Sequence, residues 1–387
     1  MIYIDYTECI PKKEAKFHGG GNYGKRIINV LAQNGIRLTV LVPSFFEAST
    51  DLDKQIFSHK NVTVQKIESL TDLKITEPNS ILMIPMIMTR RLTVIKDIKK
   101  NNPELQVYVT IHGIRRLDLR PDGMNAYYQS GIKRTMYLPK AWLKYMIYKA
   151  AYRHVFKKYL PMYDKVFTVS NDSMQKIQRL SVPKQIKPYY CGSINTDRLE
   201  SQEVTVEKEN FALFVSGGRE EKNLLRTLIA FQQFKRNDKT GLKLIVTGIS
   251  EQLKNNFLSC RKLPKDHIED NIEFLEYVSD EKLNQLYQSC RFVLYPSKSE
   301  GFGLPLVEAC YYGTPIVASS ITAMPEVLGS TINYVDPYSV KSIESAITYL
   351  AGSNYDTEIT KMQRKRDNVI LNIKNSDMDF VTEFCRM

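Results

Sequence analysis

The sequence predicts an α/β protein built from two doubly wound domains with mostly parallel sheets. Three observations lead there. Short apolar strands alternate with amphipathic helical stretches along the whole chain, the pattern of βαβ units. The alternation runs in two series, separated by a polar stretch at 196–210 that carries Glu200, Glu203, Glu207 and Glu209. The 387 residues are enough for about two domains at the usual ~100–200 residues each. The expected boundaries are a first domain over 1–200 and a second over 201–370. Two such domains are expected to face each other across a cleft, with ligands bound outside the carboxyl ends of the strands.

In the first series, strands are expected at 2–4, 37–42, 62–66, 80–84, 107–111 and 165–169. A helix at 25–33 precedes Gly35, placed as its left-handed C-terminal cap. Ser170 is placed to cap a helix that starts near Asn171. The second series has strands at 211–215, 243–247, 272–275, 292–295 and 316–319, and helices at 222–234, 280–289 and within 300–312.

Hydrophobic residues make up 43% and charged residues 25%, a globular rather than a disordered composition. The apolar run at 80–88 is strand-length and holds Pro85, so no bilayer span is expected. Met1-Ile2-Tyr3-Ile4-Asp5 lacks the basic start and apolar core of a signal peptide and reads as a strand. The six cysteines form no C-x-x-C pair, and the five histidines do not gather near them. A zinc site or disulfide framework is therefore not expected, and a reducing cytoplasm is the simplest setting. A net charge of +12 implies an anionic partner: nucleic acid, anionic lipid or a phosphorylated small molecule.

The segment 291–319 carries most of the chemistry. An apolar strand ends at Pro296, Gly301 and Gly303 permit a tight turn, Pro305 suits a helix start, and Gly313 suits its end. A helix N-terminus at the end of a strand suits a diphosphate. Glu300 lies before the turn and Glu308 inside the helix, placed to contact two parts of one elongated ligand. Carboxylates accept hydrogen bonds from vicinal hydroxyls. A sugar at each end of a phosphate centre fits that layout.

After the strand at 211–215 comes Ser216-Gly217-Gly218-Arg219-Glu220-Glu221-Lys222-Asn223. Its glycines allow close backbone approach to a phosphate, and Arg219 and Lys222 supply positive charge. Such cations stabilise a departing nucleoside diphosphate, where one lost donor costs ~3–4 kcal/mol. No D-x-D stands at a strand end, so no metal or other cofactor is expected.

In the first domain, His18-Gly19-Gly20-Gly21-Asn22-Tyr23-Gly24 precedes the first helix and formally matches G-x-G-x-x-G. The glycines begin well after the first strand, and no acid follows the second strand to hold a dinucleotide's ribose. His112 stands at the carboxyl end of the strand 107–111, where sites form in these sheets.

These motifs resemble those of retaining glycosyltransferases of the GT-B fold, especially glycosyltransferase family 4, the group 1 glycosyltransferases. Glu300-Gly301-Phe302-Gly303-Leu304-Pro305-Leu306-Val307-Glu308-Ala309 is similar to the family's E-x7-E motif, and Gly313-Thr314-Pro315-Ile316-Val317-Ala318-Ser319, Pro325-Glu326-Val327, Val169-Ser170-Asn171-Asp172-Ser173 and Gly192-Ser193-Ile194-Asn195-Thr196-Asp197 resemble its flanks. The likeness is strong over 211–350 and weaker before. It implies two Rossmann-like domains, the first on the acceptor side and the second binding a nucleotide sugar, with a tail at 371–387 that packs back on the first.

For matched residues, the resemblance implies that Glu300 contacts the donor sugar and Glu308 the ribose. The backbone of Gly301, Phe302, Gly303 and Leu304 would lie near sugar and phosphate. In the family an arginine and a lysine here neutralise the leaving diphosphate, and Lys222-Asn223 matches its K-N pair. The family's frequent arginine position is occupied here by Gly217, and Arg219 is shifted from it. His112 would contact the donor sugar, and the loop with Gly20 and Gly21 would approach phosphates or acceptor.

The stretch 131–165 mixes Lys133, Arg134, Lys140, Lys144, Lys149, Arg153, Lys157, Lys158 and Lys165 with Trp142, Leu143, Met146, Ile147 and several tyrosines. It reads equally as a membrane-surface helix and as an ordinary helix packed on its sheet. Nucleic acid is not favoured, because no recognisable binding module accompanies the charge.

The expected activity is retaining transfer of a sugar from a nucleotide sugar to a hydroxyl, in cell-surface polysaccharide or glycolipid assembly, on a lipid-linked or saccharide acceptor. The expected location is the cytoplasm, peripheral at the inner membrane face. Two alternatives stay open: a sugar-nucleotide epimerase of the same fold, and a non-catalytic sugar-nucleotide-binding scaffold.

Overall fold

A computed structural model of the protein describes residues 1–10, 19–48, 50–192, 207–330 and 332–385. His18, residues 196–206 of the expected linker, most of the motif at 192–197 and the last two residues of the tail lie outside the described residues. The chain divides into two compact units. Unit 1 comprises Met1–Ile114, Lys149–Arg198 and Leu371–Met387; unit 2 comprises Arg115–Tyr148 and Leu199–Ile370.

Unit 1 holds a seven-stranded parallel sheet in the order β3-β2-β1-β4-β5-β6-β7. Its strands are β1 (Ile2–Asp5), β2 (Leu38–Pro43), β3 (Val62–Ile67), β4 (Ile81–Ile84), β5 (Gln106–Ile111), β6 (Lys165–Thr168) and β7 (Ile186–Pro188). Ile4, Val40, Leu82, Val109 and Val166 are fully buried along the central strands, as expected of a parallel sheet covered by helices. The first helix starts at Gly19, not at 25, and runs to Gln33. Its glycines are therefore a helical turn and not a loop. Gly24 sits so close to the strand-end segment that a Cβ there would lie 2.6 Å from Cys9 Sγ. Gly35 follows with φ +81°. Ser170 caps the helix Asn171–Gln178, accepting a hydrogen bond from the Ser173 amide at 3.1 Å. Strand β7 was not foreseen: it is three residues long and ends in Pro188, which suits only a sheet edge.

The chain ends in a 31-residue helix, Tyr355–Cys385, whose part from Leu371 onward counts with unit 1. There Asp377 pairs with Arg26 (2.6 Å) and accepts from the Tyr189 hydroxyl (2.7 Å). Phe380 stacks on Tyr189 with ring centroids 4.0 Å apart. Glu383 pairs with Lys165 and Lys187.

Unit 2 holds a six-stranded parallel sheet in the order β10-β9-β8-β11-β12-β13. Its strands are β8 (Glu209–Phe214), β9 (Lys243–Val246), β10 (Ile272–Phe274), β11 (Cys290–Tyr295), β12 (Ile316–Ser319) and β13 (Asn333–Val335). From β8 the sheet grows one way through β9 and β10 and the other way through β11, β12 and β13. The boundary drawn from sequence needs correction: Arg115–Tyr148 belongs to unit 2, not to the first domain. Charge anchors it. Asp122 makes two hydrogen bonds with the Arg226 guanidinium, at 2.6 and 3.0 Å. Lys298 also reaches Asp122 (3.4 Å) and bonds Asn125. The Tyr128 phenol accepts from the Leu224 amide (3.3 Å) and meets the Phe257 ring edge-on at 4.8 Å. Among the described residues, no helix is long and apolar enough to cross a membrane.

Candidate active site at the switch point of unit 2

In a doubly wound sheet, loops diverge where the strand order reverses and leave a crevice beyond the carboxyl ends. In unit 2 that point lies between β8 and β11. The loop after β8 carries 216–222 and the loop after β11 carries 296–303, so the topology explains why the two motifs meet.

The helix expected at 222–234 begins later, at Leu224. Glu220–Lys222 forms a short 3-10 turn, and Asn223 takes a left-handed conformation (φ +70°) that separates it from the helix. The Asn223 amide offsets that strain by donating to the carbonyls of Pro337 (2.6 Å) and Pro296 (3.1 Å). The Lys298 amide donates to the Glu221 carbonyl at 2.7 Å, which locks the two loops together.

That arrangement aims Lys222 at Glu300. The buried ammonium lies 2.7 Å from Glu300 Oε1, bonds the Tyr295 hydroxyl, and sits 4.3 Å from the centre of the Tyr295 ring. Burial pulls the Lys222 amine below the ordinary lysine value, against the opposing pull of Glu300. Burial, then Glu300, raises the Tyr295 phenol well above its usual value, so it stays protonated. Ser297 Oγ lies 2.6 Å from the same Glu300 oxygen, and the Glu300 amide donates to Thr322 Oγ1 at 3.2 Å.

Arg219 and Arg115 both pair with the buried Glu221 carboxylate. Burial raises the Glu221 pKa, but Arg219, Arg115 and Lys222 outweigh it and hold the group below the usual carboxylate value. For Arg219, burial is likewise outweighed by Glu221 and Glu300, which keep the guanidinium charged. The cluster thus gathers three cations, Arg115, Arg219 and Lys222, around two carboxylates, Glu221 and Glu300. A surplus of positive charge beside a buried lysine suits an anionic ligand.

Gly217 and Gly218 are held against the loop after β9. Their amides donate to the carbonyls of Thr247 (2.8 Å) and Gly248 (2.7 Å). A Cβ at Gly218 would lie 2.7 Å from the Gly248 oxygen, and one at Gly217 would lie 2.8 Å from Leu224 Cδ2. What they permit is close approach of neighbouring chain; a side chain at 217 would press on the ends of Leu224 and Val246. Arg219, two residues on, is the arginine of this loop and pairs with Glu221.

Glu300 and Gly301 lead into Phe302, which is buried, and Gly303, which caps the helix Leu304–Tyr311 with φ +97°. Pro305 occupies its first turn, and Gly313 follows its end with φ +60°. Glu308 is the fifth helical residue and lies beside the Tyr287 phenol, whose pKa burial and Glu308 raise. The residues missed by sequence reasoning are Tyr295, Ser297, Glu221, Arg115 and Thr322. Tyr295 ends β11 and Ser297 follows it by two residues, so their place was legible; Arg115 and Thr322 had no local signal.

His112, Gly20 and Gly21 belong to unit 1. His112 follows β5, and its Nε2 lies 2.8 Å from the Pro85 carbonyl beyond the adjacent β4. That carbonyl accepts, so Nε2 carries a proton. The imidazole also packs edge-on against Tyr23, with centroids 4.5 Å apart. Gly20 and Gly21 form the first turn of the helix Gly19–Gln33.

The family described as Glycosyl transferases group 1 matches residues 195–367. The O-antigen chain mannosyltransferase B of Escherichia coli is 33% identical over 139 residues, 36% of each chain. The O-antigen chain mannosyltransferase RfbU of Salmonella typhimurium is 30% identical over 222 residues, 55% of this chain and 57% of the relative. The matches therefore span between about a third and somewhat over half of these relatives' length. A sucrose-phosphate synthase from Thermosynechococcus elongatus superposes with TM-score 0.67 at 15% identity, covering 100% of this chain and 98% of that one. The fold is that of the GT-B glycosyltransferases, and residues 195–367 match the group 1 glycosyltransferase family.

Proposed function

We propose that the protein transfers a sugar, a mannosyl residue in the first instance, from a nucleoside diphosphate sugar to a hydroxyl of a growing cell-surface saccharide. The observation that carries this reading is the Lys222–Glu300 pair, flanked by Arg219, beyond β8 and β11. The mannosyl assignment follows the names of the two O-antigen relatives. In the proposed reaction the bond between the anomeric carbon and the phosphate oxygen breaks, with its electron pair leaving on phosphate. Lys222 and Arg219 neutralise that charge as it grows. The acceptor oxygen bonds to the anomeric carbon on the same face, and its proton passes to the leaving phosphate oxygen. Configuration is therefore retained. Glu300, held by Lys222 and Ser297, positions the sugar rather than attacking it. Glu308 holds the ribose. The fixed cations supply the charge stabilisation, so the reaction needs no metal ion.

The test offers labelled GDP-mannose and UDP-sugars, with and without a lipid-linked saccharide acceptor and with and without EDTA. Mannosyl transfer that needs the acceptor, survives EDTA and gives an α-linked product from an α-linked donor supports the proposal. Conversion of the donor without acceptor would assign an epimerase, and nucleotide binding without turnover would assign a scaffold.

A further inference from the structure

The helix Tyr137–Tyr159 already has a packing face. Ala141, Tyr145, Tyr152 and Phe156 recur at helical spacing and are half-buried or buried. A second apolar face points outward. Trp142, Leu143, Met146 and Ile147 are 47%, 64%, 58% and 56% exposed. Trp142 with Met146, and Leu143 with Ile147, are four residues apart and form two adjacent rows. Burial within the chain accounts for the first face and leaves the second exposed among the described residues.

Charge identifies the partner. Along the same rows, the last turns of the helix expose Arg153, His154, Lys157 and Lys158, and Lys140 and Lys144 border the apolar rows. From 123 to 163 the chain has eight lysines and arginines and not one aspartate or glutamate. We propose that this face docks on an anionic lipid bilayer. The indole and aliphatic side chains enter the boundary between headgroups and acyl chains, and the lysines and arginines meet lipid phosphates. A second copy of the chain fits less well. A two-fold pairing would set one cationic helix against another, with no carboxylate in the stretch to compensate. The proposal does not depend on the sugar chemistry.

The test uses the full chain without nucleotide, floated with vesicles of phosphatidylcholine alone or mixed with phosphatidylglycerol. Wild type is expected to float only with the mixed vesicles, and to be released by salt. Leu143→Glu with Ile147→Glu should lower the bound fraction about tenfold or more. Lys140→Ala and Lys144→Ala should each lower it about fivefold, the ~1 kcal/mol expected per cation near the surface. All four side chains are exposed, and an unchanged melting temperature confirms the fold. Absence of flotation, equal flotation with neutral vesicles, or flotation unmoved by the double Glu variant would overturn the proposal. So would a dimer, seen by light scattering, that the double Glu variant dissolves in the absence of vesicle binding.

Discussion

The Lys222 ammonium and the Glu300 carboxylate, 2.7 Å apart, join the loops that follow the two strands flanking the switch point of unit 2. The lysine is buried and the carboxylate nearly so, which makes their separate removal informative. Lys222→Met leaves a mostly buried carboxylate without its cation. Breaking such a pair from one side costs ~3–5 kcal/mol, so urea unfolding should show a loss on that scale. Adding Glu300→Gln should recover much of the stability. Transfer activity should fall ~10²–10³-fold in Lys222→Met and stay low in the double variant.

Glu300 and Glu308 are assigned different parts of the donor, and their variants should separate. Glu308→Ala is expected to weaken nucleotide binding with turnover at saturation largely kept. Glu300→Gln is expected to lower turnover more than nucleotide affinity. Parallel measurements of Kd and kcat check this; equal small effects on both would defeat the assignment.

The glycine pair after β8 predicts an order of stabilities. At Gly218 an added methyl meets the backbone oxygen of Gly248, which cannot move aside alone. At Gly217 it meets the side-chain ends of Leu224 and Val246, which can rotate. Gly218→Ala should therefore cost more than Gly217→Ala, on the order of 1–3 kcal/mol for overpacking. Thermal melts of the two variants decide it.

Asp122 predicts an acid dependence. Burial raises its pKa, but Arg226 and Lys298 outweigh that and hold it below the usual carboxylate value. A depressed folded pKa contributes stability that is full above the unfolded value, about 3.9, and is lost as pH falls through the folded value. Asp122→Asn should thus be less stable than wild type near pH 7, by ~1.5–3 kcal/mol for hydrogen bonds to a charged partner. The difference should shrink below about pH 4. Chemical denaturation across that range measures it.

Much of the fold was legible because apolar strands in covered parallel sheets read as short, uninterrupted runs. The strands missed, β7 and β13, are three-residue edges with too little pattern to register. The domain boundary failed at Arg115–Tyr148 because what assigns that segment to unit 2 is contact between distant residues, such as Asp122 with Arg226. The same limit applies to the site. Lys222, Arg219 and Glu300 stood out because each follows a strand in a glycine-bearing loop. Arg115 and Thr322 join them only through tertiary structure. The glycines at 217 and 218 were visible, but their use, admitting the neighbouring chain at Gly248, depends on contacts that no local pattern encodes.

The central claim, that the cluster of Lys222, Arg219 and Glu300 receives the diphosphate of a nucleotide, is tested most directly by calorimetric titration. The ligands are UDP, GDP, ADP, CMP and dTDP, against wild type, Arg219→Ala and Lys222→Met. One nucleoside diphosphate should bind wild type, and each variant should weaken it at least about tenfold, the ~1.4 kcal/mol or more expected of one charge-assisted hydrogen bond. Folded wild-type protein that binds none of the five, or binding that both variants leave unchanged, would contradict it.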